Sequence, residues 1–410
     1  MKMRIAPLAI AIAAASTLTS TIAVADGWTI NGYGMTNYRL QDERSTGNQF
    51  ARNDYLTAGT SASNGNQVEL TVKKSVQYDE EMYADYVLKA EYGNGEPNYG
   101  SSAGNWKSDD DGQFDFKEAY VVLGNLEFLP GGSQVWAGRR FMNRNAGILS
   151  GEYWKQSSGV GAGYEQAIEN GGKWGVSVLS ADPSDGNNQT FTTKDLYLHG
   201  IKGLGGSFDF DAKFLSQADN NVDGTGFSVA YNRDYYGMDG WSQTAIALGD
   251  GLSATGKGVN FGSWSGGGED SKSTFFTSFG VLNLTESIQL GTEVSHWVIE
   301  NNWAQDKVER TLVALRPSYM VNNNLRLEAT YAYGNEKLDA SNWGQSEDNR
   351  SFQTYEIAAA LTANSDYFGR PQIKPYITHY VADDGADNVL GLTNGKDSET
   401  IFGIQAEIWF

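Results

Sequence analysis

Three histidines, His199, His296 and His379, are all the imidazole this chain has for acid–base or nucleophilic work near neutral pH. His296 follows Ser295, and neighbours along a strand point to opposite faces, so the two do not form a dyad. His379 shares a parity with Ile373 and Ile377, which assigns it to lipid or a subunit contact. Asp383, Asp384 and Asp387 have the oxygen donors for a divalent cation, but they stand in a polar stretch that reads as solvated loop. No catalytic residue, metal or cofactor is therefore expected, and the chain reads as no enzyme. The remaining chemistry is non-covalent. Arg140, Met142 and Arg144 share a strand face and predict a basic ladder. At the carboxy terminus Trp409, Glu407 and Gln405 take one face, while Phe410, Ile408, Ala406, Ile404 and Phe402 take the other.

Such faces need strands to hold them. A strand that is apolar on one side, polar on the other and finished by a terminal aromatic reads as the closing strand of an outer-membrane β-barrel. About eighteen strand-like segments follow one another, among them 27–40, 66–78, 205–217, 323–334 and 400–410. Val68, Leu70, Val72 and Val76 alternate with polar residues, as do Phe208, Phe210, Ala212 and Phe214, and Leu325, Leu327, Ala329 and Tyr331. Long polar stretches at 41–65, 94–114, 249–271, 335–350 and 382–399 interleave with tight turns at Asn170-Gly171, Leu204-Gly205 and Asn322-Asn323. Short turns at one rim and long loops at the other fit an all-β transmembrane antiparallel barrel with periplasmic turns and extracellular loops. A barrel this wide is not filled by its own side chains and encloses water, so a pore is the default function.

Residues 1–25 read as a signal peptide: Lys2 and Arg4 precede an uncharged Ala- and Ile-rich stretch that ends in Ala23-Val24-Ala25. The barrel is then 26–410, in the bacterial outer membrane. The chain has no Cys for a disulfide framework, 49 Gly against 7 Pro, and a mean hydropathy of −0.45. Removing the signal leaves 28 basic against 50 acidic residues, a formal charge of −22. That balance argues against nucleic acid and polyanions, and most of it reads as solvated loops.

The run Leu126-Glu127-Phe128-Leu129-Pro130-Gly131-Gly132-Ser133-Gln134-Val135-Trp136-Ala137-Gly138-Arg139-Arg140-Phe141, followed by Tyr153-Trp154 and Gly159-Val160-Gly161-Ala162-Gly163, resembles the maltoporin family of trimeric sugar-specific porins. The terminal strand 402–410 is similar to that family's closing strand. The resemblance implies a homotrimer set in outer-membrane lipid and lipopolysaccharide, with a lumen in which an aromatic slide faces a track of ionised side chains. Rings cover the apolar C–H faces of a sugar while charges exchange hydrogen bonds with its hydroxyl rim. Carried over, the lane is Tyr33, Trp106, Phe227 and Trp409, and the polar track is Glu69, Lys117, Arg140 and Arg144. Tyr33 shares its parity with Asn31, Met35 and Asn37. The companions of Phe227, Val229 and Tyr231, leave its face open, whereas Trp28 and Phe410 read as girdle aromatics.

Some positions depart from the family. Met35 stands for an Arg, Gln67 for a slide Tyr, and Arg310-Thr311 for a paired Trp, and the third loop 145–152 is short. The resemblance implies an oligosaccharide of the maltose or maltodextrin type as substrate, and the departures at these constriction positions open that choice. The alternatives are a general-diffusion porin or a porin for another sugar class, sucrose or β-glucoside.

Overall fold

The structure, a computed structural model, describes residues 27–41, 44–46, 56–61, 66–78, 81–93, 113–151, 153–169, 171–180, 191–217, 222–255, 258–259, 267–302, 305–339, 348–383 and 397–410. The expected signal peptide lies outside them. Among the described residues eighteen strands form the barrel: β1 (Gly27–Gln41), β2 (Asn66–Gln77), β3 (Tyr83–Gly93), β4 (Gln113–Gly124), β5 (Ser133–Ala146), β6 (Tyr153–Ala167), β7 (Lys173–Ser180), β8 (Phe191–Gly203), β9 (Gly206–Gln217), β10 (Asp223–Tyr235), β11 (Met238–Gly251), β12 (Gly267–Asn283), β13 (Ile288–Asn302), β14 (Gln305–Asn322), β15 (Leu325–Leu338), β16 (Asp348–Thr362), β17 (Gln372–Ala382) and β18 (Ser398–Trp409). Each pairs antiparallel with its sequence neighbours, and β1 pairs with both β2 and β18, which closes the sheet. Closure satisfies every strand edge, as a bilayer demands.

The seam is locked at the short-turn rim. Gly32 and Phe410 exchange backbone hydrogen bonds of 2.9 and 3.0 Å, and a Cβ built on Gly32 would stand 2.3 Å from the Phe410 ring. The terminal aromatic therefore lies on the strand it joins, a place only glycine leaves free.

Period two sorts the two faces as expected. Phe402, Ile404 and Ile408 of β18, Phe214 of β9 and Leu327 of β15 are exposed outward, while Gln405, Asp211, Lys213, Arg326 and Glu328 on the opposite parity are buried. Trp28 and Phe410 point outward at the rim and are exposed, as girdle residues are.

The lumen holds more than water. Segment 56–61, between β1 and β2, folds inward onto Glu356 of β16, which accepts the Thr60 amide at 2.9 and 2.8 Å and its hydroxyl at 2.8 Å. Segment 147–151, between β5 and β6, folds onto Glu293 of β13, which accepts the Leu149 amide at 2.6 Å, the Ser150 amide at 3.2 Å and the Ser150 hydroxyl at 2.5 Å. One carboxylate of the wall thus satisfies the irregular backbone of each loop, as buried amides require. Two apolar clusters form where such segments meet the wall. One joins Ala58 and Leu149 to Val281, Leu312, Ala314, Ala332 and Tyr367.

Candidate functional site

Tyr33 of β1 and Trp409 of β18 are direct cross-strand partners. Both have the lumen parity and both are only partly buried. The Tyr33 hydroxyl is tied to the wall, donating to Glu407 at 3.2 Å. The Arg370 guanidinium lies 4.5 Å from the Trp409 ring centroid. Met35, next on the same face, is buried against the Tyr33 hydroxyl and the Gln405 amide, 3.5 and 3.2 Å from its sulfur. A thioether here leaves the rings flanked by a soft apolar contact instead of a charge.

The adjoining wall, β2 to β4, carries ions. Lys89 pairs with Glu69 at 2.5 Å and Lys73 with Asp85 at 2.6 Å. Gln67 bridges Glu69 at 2.5 Å and Glu91 at 3.1 Å. Lys117, buried at a register shift between β3 and β4, shares the electrostatic field of Glu91 with Glu69, Lys89 and Arg144. The Arg144 guanidinium stacks between Tyr153 at 4.4 Å and Phe141 at 5.0 Å. This arrangement corrects the simple ladder. The β5–β6 pairing shifts between Met142 and Asn145, and Asn143 takes a φ of 48°, so strict alternation ends before Arg144.

Arg140 stands in a second nest. Its guanidinium lies 5.0 Å from both the Tyr120 and the Trp136 rings and 3.9 Å from Glu165, which also takes Lys173 at 2.8 Å and the Tyr197 hydroxyl at 2.7 Å. The facing strand makes room with glycine: a Cβ on Gly163 would stand 2.5 Å from the indole nitrogen of Trp136. Trp136 has the parity of Arg140, so alternation already held that signal. Glu165 and Tyr197 became partners only through pairing across four strands.

The other singled-out residues take several places. Phe227 takes the outer face, exposed beside its cross-strand partners Ala212 and Leu248, and does not join the lane. Trp106 lies outside the described residues, as do Asp384 and Asp387, while Asp383 is exposed and accepts from Ser351. Arg310 faces the lumen, paired with Glu336, its guanidinium 4.2 Å from the Trp297 ring on the next strand, so an indole neighbours the position where a paired Trp was expected. Ser295 is buried inward and His296 exposed outward, bonded at 2.9 Å to Thr311.

Rings fixed in a lumen beside pairs of opposite charge can take a ligand with apolar faces and a hydroxyl rim, each contact weak enough to break in transit. The comparisons with known proteins agree with this architecture. The family model described as LamB porin matches residues 29–410. The maltoporin of Vibrio cholerae serotype O1 is 23% identical over 403 residues, covering 87% of this chain and 94% of that protein. The maltoporin of Photobacterium profundum is 23% identical over 316 residues, covering 74% of this chain and 71% of that protein. Of solved structures, OccAB1 of Acinetobacter baumannii superposes with a TM-score of 0.51 at 11% identity, covering 96% of this chain and 100% of that one. OccK10 of Pseudomonas aeruginosa gives 0.51 at 10%, covering 93% and 99%. These two likenesses bear on the fold alone.

Proposed function

The chain belongs to the LamB porin family, and on that premise we propose that it is an outer-membrane channel for facilitated diffusion of oligosaccharides of the maltose or maltodextrin type. The observation that carries this reading is the cross-strand pair Tyr33 and Trp409, two lumen-facing rings beside Glu69, Lys89 and Glu407. A sugar ring stacks on the aromatic faces while its hydroxyls exchange hydrogen bonds with those charges. The pairs keep the ions oriented without trapping the ligand, which conduction requires. Lys117, Arg140 and Arg144 set the positive potential of the track, and Trp106 completes the lane from a neighbouring subunit of a homotrimer, as the family resemblance implies.

Met35 and Gln67 favour one second reading. They replace a charge and a ring of the family's lane and track, which fits a sugar of another class, sucrose or β-glucoside. The deciding experiment is sugar-induced block of ion current in planar bilayers, with maltose-series, sucrose-like and β-linked oligosaccharides. Maltodextrins should block wild type, and Tyr33→Ala, Trp106→Ala and Trp409→Ala should each weaken binding by roughly 0.5–1.5 kcal/mol with little change in conductance. Block by the other sugars alone makes the second reading right, and no block by any sugar makes the protein a general-diffusion porin. A heat-modifiable trimer on gels of unboiled membranes checks the assembly, and a mature amino terminus at Asp26 checks cleavage of residues 1–25.

A further inference from the structure

Among the connections at the short-turn rim, most are tight, but the one joining β16 to β17, residues 363–371, folds back into the lumen. Its inward course is fixed from several strands at once. Gln289 of β13 clasps it with both ends of its amide, donating to Asp366 at 2.9 Å and accepting from the Tyr367 amide at 2.9 Å. Arg326 of β15 donates to the Asp366 carbonyl. The Tyr367 ring is buried over Gly291 of β13, where a Cβ would stand 1.9 Å from its hydroxyl. Phe368 packs 4.9 Å from Tyr367 and 6.2 Å from Trp241 of β11. Tyr367 belongs to the same apolar cluster as Ala58 and Leu149 of the two loops that enter from the opposite rim.

The other end of this connection reaches the aromatic lane. Arg370 donates twice to one oxygen of Glu407, 2.7 Å from both Nε and Nη2, and from Nη1 to the Gly369 carbonyl at 2.9 Å. The remaining Glu407 oxygen holds the Tyr33 hydroxyl at 3.2 Å. So constrained, the guanidinium lies over the Trp409 ring at 4.5 Å. Trp409 is the last residue of β18, at its short-turn end, so the surface Arg370 covers is withheld from a ligand about to leave by that mouth.

We propose that residues 363–371 form a constriction at the short-turn mouth of the pore and that Arg370, by covering Trp409, determines how long a sugar resides there before release. The constriction stands on the fold, and the assignment of its ligand rests on the sugar-porin reading above. A bare indole at the exit would hold a pyranose face too well. A guanidinium laid over it shares the ring and keeps the last step weak, while its hydrogen bonds to Glu407 hold it in place.

The test is single-channel recording of the purified, folded protein with sugar added on the short-turn side. Arg370→Ala should raise ion conductance and lengthen the sugar residence time roughly two- to fivefold, the range a partly exposed cation–π contact provides. Arg370→Lys, which keeps the charge but loses the planar fork, should fall between the two; it also carries the test should Arg370→Ala fail to assemble. In a background of Trp409→Ala, removal of Arg370 should no longer lengthen residence, because no ring remains to uncover. Conductance and residence unchanged in both Arg370 variants overturn the proposal. So does equal lengthening with and without Trp409, since that would mean Arg370 acts elsewhere than on the ring. If no sugar blocks wild type, the sugar reading falls instead, and the conductance of the variants still decides the constriction: values equal to wild type reject it.

Discussion

Two walls of the lumen carry charges on the same alternating parity and end in different states. On β2 and β3 the pair Lys73–Asp85 keeps side-chain exposures of 35% and 11%, and the rings Tyr33, level with Glu69 of β2, and Trp409, its partner on β18, are only partly buried. On β6 to β9 the pair Lys155–Asp211 keeps 5% and 3%, Asp211 also accepts from His199 at 2.9 Å, and Lys213 is buried, donating to the Gln156 carbonyl. Facing the lumen thus does not make a charge part of the passage. The first wall keeps Lys73, Glu69 and the two rings within reach of a ligand, although its Asp85, Lys89, Glu91 and Lys117 are buried. The second has been closed over, and its ions are structural.

The largest effect should come from the closed wall. Asp211→Ala leaves Lys155 without its ion partner in a buried site and should destabilise the barrel by about 3–5 kcal/mol, measured by urea unfolding in lipid vesicles. A cost below 1 kcal/mol would erase the distinction between the walls. Next comes the outer face, which gives the scale for a charge in lipid: Ile404→Arg should cost about 2–4 kcal/mol if that residue sits near the bilayer midplane, by the same measurement. Two indoles should divide in the same way. Trp409→Ala should weaken sugar binding by about 0.5–1.5 kcal/mol and alter unfolding little, whereas Trp297→Ala, which removes a ring packed in an apolar cluster with Trp154 and Phe275, should lower stability and leave sugar affinity as it was. Identical effects on current block would make both rings part of the lane. The smallest effect belongs to the open wall: Asp85→Ala, which frees a partly exposed Lys73, should cost about 0.2–1 kcal/mol in unfolding.

Legibility in the sequence followed regularity. Where apolar and polar residues alternate without a break, as along Phe402 to Phe410 or Phe208 to Phe214, the face of each side chain could be read directly, and the inward Tyr33 and Trp409 came with it. Phe227 could not be read, because Phe227, Val229 and Tyr231 alternate with Ser228 and Ala230, small residues that suit a lumen wall and an interface equally. Arg144 could not be placed, because the register shift after Met142 is a property of pairing with β6. Arg370 lies in a segment with no period at all, and its partner Glu407 is 37 residues away.

The sequence alone therefore determined the barrel class, the approximate number of strands, the lipid face and the lumen parity of Tyr33 and Trp409, because a strand sets side-chain direction locally, two residues at a time. Only the tertiary structure decided which lumen-facing groups remain open. That depends on segments entering from both rims, held by contacts such as Thr60 to Glu356, 296 residues apart, and Ser150 to Glu293, 143 apart. No local pattern encodes such contacts, since a carboxylate that caps a distant loop and one that lines a pore occupy the same parity of the same kind of strand.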